Sequence, residues 1–262
     1  MNTHQTIPGE LLNRIARFGR LYLLDTVSST NDYAFGLATP GPRREQEPAI
    51  VVARKQTKGR GRFRRHWFGD EESLLFSILL FLEKNISSPN SITQFAGLAL
   101  CRAIERLAGS ALCEKSPPLL RWPNDLIVDG KKVAGILCEQ RRNAVVVGIG
   151  INVNQSLLPE NLPEASSLFL TFHQKFDRMV LLEAFLTDFF NCLDLLKKCE
   201  TTTLWAEIKN RSAIIHHRVE IRTLFRKYIG TVIDIDDSGR IVLRTDSGKL
   251  AIFNAGQVKQ LR

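Results

Sequence analysis

The chain has 262 residues, 44% hydrophobic and 24% charged, with 36 Lys or Arg against 27 Asp or Glu and a formal net charge of +9. That length and mixture exclude a disordered tail or a fibrous repeat, and predict one main core with room for a small second module. No apolar run reaches the ~18 residues of a membrane span, and the first residues lack a secretory signal. The five cysteines, Cys101, Cys113, Cys138, Cys192 and Cys199, contain no CxxC pair, which predicts a reduced, cytoplasmic protein without a thiolate metal site.

Residues 9–18 place Leu11, Leu12, Ile15 and Ala16 on one side of a short amphipathic helix, too short for a DNA-binding helix-turn-helix. A strand at 21–24 then runs into Ser28-Ser29-Thr30-Asn31-Asp32, a polar cluster opening a helix through Ala38. Ser29, Thr30 or Asn31 reads as the helix N-cap, the common use of such residues, or as a hydrogen-bonding group for a neutral polar ligand. A β-branched run at 49–53 and an apolar run at 73–82 predict two strands. The loop between them, which also holds Gln56, carries seven Lys or Arg from Arg54 to Arg65 and no Asp or Glu, so most of the charge excess is local. Local excess suits an anion site better than a uniformly basic nucleic-acid coat. Gly59 and Gly61 alternate with Arg60 and Arg62, so backbone N–H groups approach a ligand while guanidinium forks meet phosphate oxygens. Trp67 adds a flat apolar face for a ring. The same stretch also reads as a solvated basic loop or a nucleic-acid patch.

Residues 92–107 predict an amphipathic helix burying Phe95, Leu98, Ala99, Ala103, Ile104 and Leu107. A strand at 119–128 is interrupted by a turn at Pro123, Asp129-Gly130 signals a tight hairpin, and strands at 131–139 and 144–154 complete an antiparallel meander. Asp125 and Lys132 then face one another across a short hairpin. Asp125 suits accepting from a hydroxyl or helping to hold a cation between phosphates, and Lys132 suits an acyl phosphate; an ordinary exposed ion pair is the alternative. Gly148, Gly150 and Asn152 mark either close backbone approach to a ligand or a bulged strand. Residues 155–177 read as a Pro- and Ser-rich loop, and 178–198 and 201–208 as helices. Beyond 211–217 short strands at 219–221, 230–235, 240–245 and 250–253, separated by turn formers, predict a small β-barrel. The expected division is a catalytic domain over 1–212 and an appendage over 213–262.

Taken in order, Ser29-Thr30-Asn31, Gln56 with Gly59-Arg60-Gly61-Arg62 and Trp67, Trp122-Pro123-Asn124-Asp125, Lys132 with Gly135, and Gly148-Ile149-Gly150-Ile151-Asn152 resemble the biotin protein ligases. These enzymes make biotinyl-AMP from biotin and ATP and pass biotin to a lysine of a biotin carboxyl carrier domain. The resemblance implies an α/β (α+β) catalytic domain on a mixed, largely antiparallel sheet, related to class II aminoacyl-tRNA synthetases, plus a C-terminal SH3-like β-barrel. It implies that Ser29, Thr30, Asn31 and Gln56 form the polar biotin pocket, with Gly135 a backbone contact to biotin. Gly59, Arg60 and Arg62 take the glycine-arginine loop on biotin carboxylate and α-phosphate, and Trp67, Asn124, Asp125 and Asn152 take ATP and adenylate contacts. Asp125 is the expected Mg2+ contact, and Lys132 bridges carboxylate and phosphate, making Arg62 and Lys132 the catalytic pair.

Three departures accompany the resemblance. Phe63 and Arg64 stand where the family often has other residues, a glycine in the second case, and Arg121 stands where lysine is common. Nor is there room before Leu21 for the DNA-binding domain of repressor-type members, so a short form without operator binding is expected, and a homodimer stays open. The competing readings are a lipoate or octanoyl transferase of the same fold and a non-catalytic nucleic-acid binder whose barrel presents Phe225, Tyr228 and Phe253.

Overall fold

A computed structural model describes residues 7–38, 47–81, 88–223 and 226–261, with Arg64 described by its backbone only. The expectations for residues 1–5, Leu82, Phe225 and the Arg64 side chain lie outside the described residues. The first half of the chain runs α1 (Gly9–Ala16), β1 (Arg20–Val27), α2 (Thr30–Leu37), β2 (Ala49–Gln56), β3 (Ser73–Phe81), α3 (Pro89–Ala108), α4 (Ser110–Lys115), β4 (Leu119–Arg121), β5 (Asp125–Val128), β6 (Lys131–Arg141) and β7 (Ala144–Asn152). The rest is α5 (Leu168–Phe172), α6 (Arg178–Lys197), α7 (Thr202–Asn210), β8 (Arg218–Arg222), β9 (Lys227–Ile235), β10 (Ile241–Thr245), β11 (Leu250–Phe253) and β12 (Gln257–Gln260).

Seven strands form one sheet in the order β1-β2-β3-β7-β6-β5-β4. Among the described strands of this sheet only β1 and β2 pair in parallel, with α2 lying between them in the chain. Every other neighbouring pair is antiparallel, and the predicted meander accounts for those from β4 to β7. The central strands β3 and β7 are buried on both faces, which explains their near-continuous apolar sequences. One face packs on α3 and α6, where Phe76 meets Phe185 at 5.3 Å between ring centroids and Phe185 stacks on Phe189 at 5.4 Å. The opposite face is covered by α2, whose Ala34 and Phe35 pack with Val51, Leu79 and Val146. Of the residues expected to face inward from α3, all are buried except Leu107, which is half-buried at the edge of the core.

Three elements depart from the sequence expectation. Within the stretch read as a loop, Ser167 accepts from the Leu170 N–H at 3.0 Å and caps the short helix α5. Helix α4 and strand β12 were also hidden, each being too short for a periodic pattern to emerge.

The C-terminal strands form a separate five-stranded antiparallel sheet in the order β11-β10-β9-β8-β12. Its inward residues Val219, Ile221, Val232, Ile241 and Leu243 belong to the same buried cluster as the seven-stranded sheet. Polar contacts join the two as well: Trp122 Nε1 donates to the Gly239 carbonyl at 2.9 Å, and Asn90 Nδ2 to that of Asn254 at 3.0 Å. Among the described residues no helix is long and apolar enough to cross a membrane.

Candidate active site

The first turn of α2, the loop after β2, the β5–β6 hairpin and the glycines of β6 and β7 surround a cavity of about 380 Å³. Ser29, Thr30, Asn31, Gln56, Arg60, Arg62, Trp67, Asn124, Asp125, Lys132, Gly135 and Asn152 all line it, although they come from segments more than a hundred residues apart. Gly59 does not. It sits at the base of the loop, where its carbonyl accepts the Trp67 N–H at 3.0 Å and a Cβ would press on the Trp67 carbonyl.

One end of the cavity is polar and neutral. Ser29 is the N-cap of α2, accepting from the Asp32 N–H at 3.4 Å, so the capping reading holds while the same residue faces the cavity. Thr30 donates from its backbone N–H to Gln56 Oε1 at 2.7 Å, with its hydroxyl 3.1 Å from the same oxygen. Asn31, 4% exposed, gives Nδ2 to Glu139 Oε2 at 2.8 Å and to the Leu137 carbonyl at 3.3 Å. Its Oδ1 lies 2.7 Å from the buried Ser77 hydroxyl on β3. With both amide hydrogens engaged, Asn31 has only acceptor capacity left to offer a ligand. Gly148 makes this packing feasible, since a Cβ there would lie 2.0 Å from Asn31 Oδ1. Ser77 and Glu139 escape sequence reading because each sits in a strand, where an isolated polar residue looks like ordinary alternation.

The other end is cationic. Lys132 Nζ lies 2.5 Å from Asp125 Oδ1, and an Arg121 guanidinium nitrogen lies 3.2 Å from Asp125 Oδ2, so the hairpin brings these groups together as its spacing implied. Lys132 also sits 5.3 Å from the centre of the Trp67 ring. Burial pulls the Arg62 guanidinium below its ordinary value, opposed by the nearby Asp125 charge. Such desolvated positive charge favours an anion. Two N–H groups of the wall, Arg60 Nε and Trp67 Nε1, are buried with no acceptor, the signature of a site built for an acceptor-rich ligand. The Trp67 indole lies flat on β6 and β7: a Cβ at Gly150 would meet it at 2.3 Å and one at Gly135 at 2.8 Å.

Backbone bonds fix Lys132 in place. Its N–H donates to the Glu164 carbonyl at 2.7 Å and its carbonyl accepts from Ser166 N–H at 2.8 Å. Asn152 Nδ2 donates to the Ser166 carbonyl at 2.9 Å, so this amide buttresses the strap behind Lys132. Asn124 Nδ2 likewise donates to the Ile136 carbonyl at 2.8 Å and secures the turn before Asp125. Phe63, half exposed, holds a left-handed backbone conformation at φ 56° in the arginine loop, which Gly61 N–H to Arg65 carbonyl closes at 2.7 Å. Among the described residues no group of three His, Cys, Asp or Glu is placed to hold a metal ion, and of the carboxylates on the cavity wall, Asp125 and Glu164, Asp125 is much the less exposed.

Comparison with known proteins agrees with this geometry. Residues 23–156 match the model of the Biotin/lipoate A/B protein ligase family, and residues 217–259 that of the Biotin protein ligase C terminal domain. The bifunctional ligase/repressor BirA of Bacillus spizizenii is 32% identical across 95% of this chain and 79% of its own length. The biotin--[acetyl-CoA-carboxylase] ligase of Mycobacterium tuberculosis is 28% identical across 98% of this chain and 95% of its own. Among solved structures, the biotin protein ligase of Aquifex aeolicus in complex with biotin and ATP superposes with a TM-score of 0.77 at 27% identity, covering 93% of this chain and 99% of that one. These matches, over the segments that carry the cavity's neutral polar and cationic ends, show that the chain belongs to the biotin/lipoate A/B protein ligase family, as a biotin protein ligase.

Proposed function

We propose that the chain activates biotin with ATP to biotinyl-5′-AMP and transfers the biotinyl group to a lysine of a biotin carboxyl carrier domain, such as that of acetyl-CoA carboxylase. The observation that carries this reading is the juxtaposition of Lys132, Arg62 and the acceptor-lined Asn31 pocket within one cavity. A ureido head group presents N–H donors, which suit the free acceptor capacity of Asn31. A carboxylate at the far end of the same small molecule would reach the cations.

In the first step a biotin carboxylate oxygen attacks the α-phosphorus of ATP, forming the mixed anhydride and releasing pyrophosphate. Two anions approach one another, so the barrier falls as Lys132 and Arg62 offset their repulsion and the charge growing on phosphate oxygens. No side-chain nucleophile is needed. In the second step the carrier lysine amine attacks the acyl carbon, and AMP leaves. The arginine loop, with Arg62 partly buried on the cavity wall, is placed to close over the anhydride and exclude water between the steps. Magnesium would enter with the ATP phosphates, and Asp125 is the residue to hold it, since that ion binds through one or two carboxylates plus phosphates. When bound it neutralises phosphate charge.

The reading divides the chain into a catalytic domain over 1–212 and an SH3-like module over 213–262, and places the reaction in the cytoplasm, in keeping with five free cysteines. The test is to incubate the protein with biotin, magnesium-ATP and a carrier domain, and to weigh the carrier by mass spectrometry; a biotin-sized mass gain is expected, and a gain with lipoate instead would overturn the assignment. Lys132→Ala is expected to cut biotin-dependent ATP–pyrophosphate exchange by about a thousandfold, as loss of a charge acting at the transition state does.

A further inference from the structure

We propose that Glu139 is a positioning residue that couples the two ends of the cavity, an inference that rests on the biotin ligase reading above. Its Oε2 accepts from Asn31 Nδ2 at 2.8 Å, at the neutral end, and lies 3.4 Å from an Arg60 terminal nitrogen, in the arginine loop. The same Arg60 nitrogen meets Asp32 Oδ1 at 2.7 Å, one residue beyond Asn31 on α2. Asp32 in turn lies 3.7 Å from Arg141, whose guanidinium carbon stands 4.0 Å above the Phe35 ring of α2. The end of β6, the first turn of α2 and the loop are therefore tied by one set of charges centred on Glu139 and Asp32.

Two consequences follow for the ligand. Asn31 is held between Ser77, which approaches its oxygen, and Glu139, which takes its nitrogen, and this fixes the oxygen toward a donor. Loss of Glu139 leaves the amide nitrogen held by the longer bond to the Leu137 carbonyl alone, at 3.3 Å, and leaves one N–H without its acceptor beside the place where an N–H donor must bind. Arg60, held by one terminal nitrogen, is anchored to α2 with Nε left buried and without an acceptor. Its guanidinium thus serves first to seat the loop, while Arg62 and Lys132 serve the phosphate. The Glu139 and Arg60 side chains are each about one-third exposed, where ion pairs contribute little to stability, so the effect belongs to ligand affinity.

The experiment measures biotin-dependent ATP–pyrophosphate exchange in full-length protein with Glu139→Ala, Glu139→Gln, Arg60→Ala and the Arg60→Ala/Glu139→Ala pair. Glu139→Ala is expected to raise KM for biotin about tenfold while leaving KM for ATP within about twofold, and the double variant should lose less than the product of the single losses. Glu139→Gln keeps an oxygen for Asn31 but not the charge for Arg60, so its KM for biotin should fall between wild type and alanine. This variant also decides the matter if the alanine form does not fold. Unchanged KM for biotin in the glutamine and alanine forms, or single losses that multiply in the pair, would overturn the proposal. A wild-type protein inactive with biotin would instead overturn the function on which it rests.

Discussion

Glycine governs this cavity as much as arginine does. Gly148 leaves space for the Asn31 amide, and Gly135 and Gly150 form the bed on which Trp67 lies. Gly148→Ala would place a methyl group 2.0 Å from Asn31 Oδ1, against a side chain held from both sides. Displacing that acceptor by about an ångström is expected to weaken biotin binding about a hundredfold and, because the site is overpacked, to lower Tm as well, measurable by titration calorimetry beside thermal melts. The glycines were legible as points of close approach, but their partners were not. Nothing local indicates that Gly148 faces Asn31, because β7 and α2 meet only through the folded sheet. The same limit hid Ser77 and Glu139, and it hid that Asn124 and Asn152, both of which line the cavity, also brace the turn and the strap through their amide nitrogens.

Among the elements, α3, α6 and α7 are joined by charge as well as by apolar packing. Arg102 and Arg211 both bond Glu207, Arg211 also reaches Glu105 at 2.5 Å, and Arg106 meets Asp188 at 2.8 Å. Burial opposes ionisation of Glu207, yet Arg102 and Arg211 outweigh it and hold the carboxyl below its ordinary value of 4.5. A carboxyl whose value is depressed in the folded state contributes stability that is complete above 4.5 and disappears as pH falls through the lower folded value. Glu207→Gln is therefore expected to cost about 1 kcal/mol at neutral pH, shown by a lower Tm, and progressively less below the ordinary glutamate range. Asp188, raised by burial against the pull of Arg106, contributes the opposite slope, so the wild-type comparison must be made at each pH. Helices of this kind were the most legible part of the chain: the residue 92–107 pattern falls inside α3, and 178–198 overlaps α6 almost completely. Helix α5 escaped because its cap, Ser167, belongs to the same polar run that signals a loop.

At the scale of the whole molecule, the C-terminal sheet helps complete the site. Gly256, Gln257 and Val258, at the start of β12, line the same cavity as Lys132. Val219, Ile221 and Leu243 share their buried cluster with the catalytic sheet. Removing residues 213–262 would expose that surface and deprive Trp122 Nε1 of its carbonyl acceptor. The shortened chain is expected to aggregate or to lose adenylate formation, as soluble yield and pyrophosphate exchange would show. The change in character near residues 211–217 made the second module readable, whereas its union with the first core was not, since strand periodicity says which face is apolar but not what covers it.

The placement of the three tryptophans gives the protein an optical property. Trp122 and Trp205 are 2% and 3% exposed, while Trp67 sits half-buried on the cavity wall with its indole N–H unbonded. Trp122 also lines the cavity but keeps its indole N–H on the Gly239 carbonyl, so emission changes on adding biotin and ATP should arise chiefly from Trp67. Stopped-flow fluorescence would then time the arrival and departure of the activated intermediate without any attached dye, and Trp67→Phe should remove most of the trace, leaving what Trp122 contributes.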